Sequence, residues 1–183
     1  RIAQFIENDL EKQSPKEKQY SKLIYHYSRS GDKLKYLFYL IKEAENYIHY
    51  THEIFPIAND QKLSRDNVLY LNKEKSQHYL SKIESLFTDI KDSPELFPDL
   101  KDMEAKYLDV KAHFLIGKGK YSQAIQSLKL MLKNACAINN AKIKLNAYEQ
   151  LAALGIQLED LALIKENARE MYGCAGRLGF KTK

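Results

Sequence analysis

The chain contains no tryptophan, and it is poor in the residues that interrupt helices: seven glycines and four prolines among 183 residues. Glycine raises the entropic cost of ordering a helix and proline removes a backbone donor, so their scarcity favours long helices over a turn-rich β fold. Only two cysteines occur, Cys136 and Cys174, far apart and without metal-ligand spacing. Neither a disulfide framework nor a zinc module is written into such a pattern. Both thiols read as reduced and structural, in a cytoplasmic setting. No apolar run approaches the roughly 18 residues that a membrane span requires, and no signal-peptide pattern opens the chain. The first residue is Arg1, already in helical character and with no initiator Met, which leads us to expect a piece of a larger protein.

Hydrophobic residues at 44% and charged residues at 29% describe a chain able to fold around a core. The formal charge is +5. Its basic residues read as spread along the chain rather than gathered in a block, which disfavours nucleic acid as a partner. A basic helical domain that binds nucleic acid or another acidic ligand is kept as the alternative function.

Catalytic signatures are missing. There is no Walker-type phosphate loop, no G-x-S-x-G and no H-E-x-x-H. Gly117-Lys118-Gly119-Lys120 is too short to cradle phosphate and falls in a turn. His49 and His52 share a helical spacing, but a metal would need a third ligand that the sequence does not supply. We therefore expect no enzyme activity, no cofactor and no metal.

Periodicity predicts helices nearly throughout. The clearest stretch runs from Tyr107 to Asn134. Leu108, Ala112 and Leu115 form one stripe, Gly117 and Gly119 break it, and Tyr121, Ala124, Leu128 and Met131 form a second. That is a helical hairpin, and such a unit buries its apolar face only by stacking on neighbours. A first helix carries Ile2, Phe5, Ile6 and Leu10 on one face and stops at Ser14-Pro15. A second hairpin spans 16–50, with Tyr20, Leu23, Ile24 and Tyr27 inward, a turn at Gly31, and Asp32 capping a helix striped by Leu34, Leu37, Phe38, Ile41 and Ala44. Residues 51–98 read as an irregular pair interrupted by Pro56, with a helix over 67–91 whose polar first turns project from the core. Asp99 is expected to open the next helix. Gly155 reads as the turn of the last pair, 36 residues after Gly119, with a partner helix over 158–172. Ala135–Asn139 and Ala175–Gly179 match in pattern at an offset of 40.

These residue types resemble the tetratricopeptide repeat. Leu108, Ala112 and Leu115 match its bulky–small–bulky first helix, and Gly119, Tyr121, Ala124 and Leu128 match its turn and second helix. Tyr20, Ile24, Tyr27, Gly31 and Leu40 match more loosely, with Tyr36 where a small residue is usual; the family's closing proline is absent from both units. Arg1–Glu7 (RIAQFIE), followed by a hairpin carrying His26, Gly31, Asp32, Leu40 and Ala44, is similar to the segment after the ATPase module in STAND-type ATPases and soluble adenylyl cyclase-like signalling proteins. The resemblance implies an all-α fold of antiparallel hairpins stacked as a right-handed solenoid. It would be a single domain over 1–183, with hairpins at 16–50, 99–138 and 139–173. It also implies a non-catalytic interaction or regulatory scaffold whose partner is a protein, a peptide or a neighbouring domain of the same chain. The first helix of each pair would line the concave side, which nominates Lys18, Tyr25, Arg29, Lys106, Asp109, His113 and Lys144 as partner-binding residues. Asp109 and Ser21 depart from the basic and amide set of family members that clamp an acidic peptide terminus, so no such clamp is predicted.

Overall fold

A computed structural model describes residues 2–11, 20–48, 73–90 and 97–177. All its regular elements there are α-helices, and no strand occurs among the described residues. In order they are α1 (Ile2–Glu11), α2 (Ser21–Ser30), α3 (Lys33–Tyr47), α4 (Lys73–Ile90), α5 (Phe97–Gly117), α6 (Tyr121–Ala137), α7 (Ala141–Gln157) and α8 (Leu161–Arg177). They fall into two compact units, α1–α4 and α5–α8. No described helix is long and apolar enough to cross a membrane. Ser14-Pro15, Lys18, His49, His52, Pro56 and the tail Phe180–Lys183 lie outside the described residues.

In the first unit, Leu23 and Tyr27 form a buried cluster flanked by Ala3, Ile6, Tyr20, Tyr36 and Tyr39. The expected inward face of α1 is therefore corrected. Ile2 and Phe5 are 65% and 74% exposed, while Ala3 and Ile6 meet the cluster. On α3 the stripe holds at Leu37, Ile41 and Ala44, joined by Leu40 and by Ile48 just past the helix end, and Asp32 Oδ1 accepts from Lys35 N at 3.0 Å as the cap. On α4, Ser76, Leu80, Ile83 and Ile90 are buried. Ser76 lies in the polar first turns predicted to project, where it alone is buried; Lys73, Glu74, Lys75, Gln77 and His78 around it are exposed.

Glu7 fastens α1 to this cluster. Its carboxylate accepts from Lys35 Nζ at 3.1 Å and from Tyr39 OH at 2.7 Å. Lys35 Nζ also donates to Tyr27 OH at 3.1 Å, and the rings of Tyr27 and Tyr39 stack at 5.6 Å and 7°. Burial alone would push the Glu7 carboxyl up, but hydrogen bonds from Tyr39, Lys35 and Tyr27 outweigh it and hold the group below its usual range. Tyr39 is pushed well above the usual phenol range, first by burial and then by its bond to the Glu7 carboxylate.

The second unit keeps a strict cadence. Helices α6, α7 and α8 are 17 residues each, and three-residue turns join them. Gly119, Asn139 and Glu159 take positive φ (69°, 51° and 56°) at positions twenty apart. One residue later, the amides of Lys120, Asn140 and Asp160 each donate at 2.9 Å to the carbonyls of Leu115, Ala135 and Gly155. This is the Schellman closure, repeated three times. Asn140 and Asp160 then cap the next helix by accepting from Ile143 N and Leu163 N. The expectation that Gly155 is a turn residue is thus overturned: it lies inside α7, and the chain turns at 158–160. A Cβ there would come within 2.9 Å of Ile164 Cγ1 and 3.0 Å of Ile164 N, so glycine is what lets α8 start so close to α7. Phe97 and Pro98, expected in a loop, open α5, where a missing proline amide leaves no helical bond unmade.

The core of this unit uses the expected stripes. Leu108, Ala112, Leu115, Ala124, Leu128 and Met131 are all buried. Helix α6 packs on both α5 and α7, and α7 packs on α8.

Candidate functional site

Two polar clusters sit between the helices of the second unit. Near the start of α5, Asn134 of α6 is 3% exposed and donates to Glu104 Oε2 at 2.8 Å. Lys101 Nζ reaches both Glu104 Oε2 at 3.0 Å and Asn134 Oδ1 at 3.3 Å. Every polar atom named here has a partner, which is the signature of a structural tie.

The second cluster joins α5 to α7, the first helices of successive pairs. Gln150 of α7 is 3% exposed, and its Nε2 donates to Asp109 Oδ1 of α5 and to Asn146 Oδ1 at 3.0 Å. His113 Nδ1 lies 3.0 Å from the Asp109 carbonyl and 3.7 Å from its Oδ1. Gln150 Oε1 is buried without a hydrogen-bond partner. Lys106 stands one turn before Asp109 on α5 and forms an ion pair with Asp102. The arrangement offers hydrogen-bonding groups and charge of both signs, but no nucleophile held by a base. Among the described residues no group of three or more His, Cys, Asp or Glu could hold a metal ion.

The nominated residues are therefore distributed unequally. Lys106, Asp109 and His113 share a face of α5, because spacings of three and four residues align along a helix. Lys144 is not brought to them: it stands on α7 about a third of a turn round from Gln150, and its Nζ donates to Asn139 Oδ1 at 3.2 Å. Tyr25 and Arg29 belong to the first unit. Arg29 sits 4.6 Å over the Tyr25 ring, His26 meets the same ring edge-on at 5.4 Å, and Tyr25 is 51% exposed. Tyr39 is half-buried in the Glu7 network.

No family model, curated protein or solved structure matches this chain.

Gln150 and Asn134 were not singled out from sequence. The signal was a polar residue falling on an apolar stripe, at Met131–Asn134 and Ala147–Gln150–Leu151–Leu154. A charge feature was also missed. Between Val110 and Tyr148 the chain has seven lysines and no aspartate, glutamate or arginine. The basic residues are about as dense here as in the whole chain, which has 29 in 183; what sets these 39 positions apart is the absence of acidic residues. Lys118, Lys120, Lys129, Lys133 and Lys142 are all exposed, and none forms a salt bridge among the described residues.

Proposed function

We propose that this chain is a non-catalytic protein-interaction or regulatory scaffold module of a larger signalling protein, built as a tetratricopeptide-like right-handed stack. The single observation that carries the proposal is the Gln150–Asp109 bond, which ties the first helices of two successive pairs directly together. Stacked repeats work in this way: each pair touches only its neighbours, and the first helices align into one ligand-facing surface. The equal helices and repeated turns of α6 to α8 also support the reading. Two helices and two turns occupy forty residues here, longer than the ~34 residues usual for the tetratricopeptide repeat. The likeness is closer in residue types than in length. In this reading Lys106, Asp109 and His113 line the ligand-facing surface, and the two free cysteines fit a cytoplasmic setting.

A tagged full chain should capture a defined protein or peptide, or another domain of its parent. Replacing Lys106 and His113 by Ala should weaken that capture by tenfold or more while leaving the helical spectrum unchanged. Failure of the intact chain to retain any partner would sink the reading. Binding to nucleic acid or another acidic ligand is the second reading, favoured by the acid-free stretch between Val110 and Tyr148. Steep loss of binding with salt marks it.

A further inference from the structure

The outer ridge of α6 carries Ser122, Gln126, Lys129, Leu130, Lys133 and Ala137, all exposed. Lys129 and Lys133 are one turn apart and unpaired, and Leu130 beside them is 42% exposed. Lys118 and Lys120 extend the positive charge past one end of the helix, and Lys142 past the other. The charged strip follows a 17-residue helix, about 25 Å long. Helix α8 is the control within the same unit. Forty positions on from Lys129 and Leu130 stand Arg169 and Glu170, and its outer face alternates Lys165, Glu166, Arg169 and Glu170, all exposed. One ridge is purely basic and the other balances itself.

We propose that the α6 ridge docks an acidic protein segment whose carboxylates flank an apolar side chain. Charge complementarity sets the sign of the partner. Leu130 sets its second requirement, because a purely phosphate-lined ligand has nothing to place against it. Two further observations separate a protein from nucleic acid. Between Val110 and Tyr148 every cation is a lysine, without the planar guanidinium fork that suits arginine to nucleic-acid recognition. The aromatic groups near the lysines are occupied: Phe114 is 4% exposed beneath Lys118, and Tyr121 OH accepts from Gln157 Nε2 at 2.8 Å. No stacking platform for single-stranded bases accompanies the charge. The ridge lies on a second helix of a pair, away from the Lys106–Asp109–His113 face. The inference rests on the interaction-module reading and names the chemistry of one partner.

The test uses the full chain and a fluorescein-labelled 18-residue peptide of repeating Glu-Glu-Leu, read by fluorescence anisotropy. Polyglutamate of equal length and an 18-base-pair DNA duplex serve as competitors. The peptide should bind at low salt, and Lys129→Glu with Lys133→Glu should weaken it at least tenfold. Arg169→Glu on α8 should leave it unchanged, and Leu130→Ser should lower it to the level of polyglutamate. Binding that survives the double substitution, or a duplex that displaces the peptide more readily than polyglutamate does, overturns the proposal. Both lysines point to solvent, so an unchanged helical spectrum and melting curve are expected of the variants. If the double variant still captures the partner held by the intact chain, the module reading stands and this inference falls. If the intact chain captures none yet binds the peptide at Lys129 and Lys133, the reverse holds.

Discussion

The side-chain amide of Gln150 donates to the Asp109 carboxylate between α7 and α5, while its own Oε1 is buried with no partner. The two ends of one carboxamide thus act in opposite directions. Truncating Gln150 to Leu removes both the bond and the unpaired acceptor, and water can reach the freed carboxylate, since Asp109 is 27% exposed. We expect Gln150→Leu to lie within about 1 kcal/mol of the parent. Asp109→Leu removes the charged acceptor and leaves a buried amide nearly stranded, which should cost about 2 kcal/mol. Urea midpoints of the two variants compare them directly, and the opposite ranking would show that the bond is not formed in solution.

Gly155 tests the close seating of α8. Alanine is normally the better helix residue by about 1 kcal/mol. Here its methyl would press on Ile164 N, a backbone atom that cannot rotate away. Gly155→Ala should destabilise the chain by about 2 kcal/mol. Ile164→Ala removes Cγ1 but not the amide, so the double variant should recover only part of the loss. Full recovery would place the strain in the side chain alone.

The three left-handed turn positions are occupied by residues of different suitability. A left-handed backbone costs an ordinary L-residue about 1–2 kcal/mol. Glu159→Gly should therefore raise stability by about 1 kcal/mol, and Asn139→Gly by less, because asparagine visits that region readily. Gly119→Ala should lower stability by about 1 kcal/mol. Thermal melts of the three single variants give the order, and a neutral Glu159→Gly would show that this turn relaxes in solution.

The Glu7 network predicts a pH dependence. A carboxyl held below its usual range binds fewer protons folded than unfolded, so its contribution is present above the unfolded carboxyl range. It fades as pH falls through the lower, folded value. Glu7→Gln should cost about 1 kcal/mol at neutral pH, less than a dry charged hydrogen bond would, because the Lys35 side chain is 44% exposed. Below the native titration the parent and variant should converge. A difference that persists into strong acid would assign the effect to packing of α1 instead.

The helices and their apolar stripes were legible because a 3.6-residue period is a local signal. Leu108, Ala112, Ala124 and Leu128 declared themselves in this way. The end of α7 did not. Glycine near the end of a periodic run reads as a stop, and glutamate is not the residue expected at a left-handed turn. Gly155 and Glu159 therefore exchanged roles between expectation and structure. The Glu7–Lys35 and Asp109–Gln150 pairs were illegible for another reason. Their partners lie 28 and 41 positions away, and no local pattern carries that distance. Of the nominated residues, Lys106, Asp109 and His113 could be grouped from spacing along α5. The place of Lys144 depended on where α7 starts and on the neighbouring Asn139.

The even spacing of the joints at Gly119, Asn139 and Glu159 has a consequence for how such a chain can change length. A duplication or excision of one forty-residue block, cut at equivalent joints, returns each helix to a neighbour of the same direction and phase. A cut of any other size would rotate the seam and strand its apolar side chains in water. Growth by whole blocks is the mode of variation this architecture tolerates.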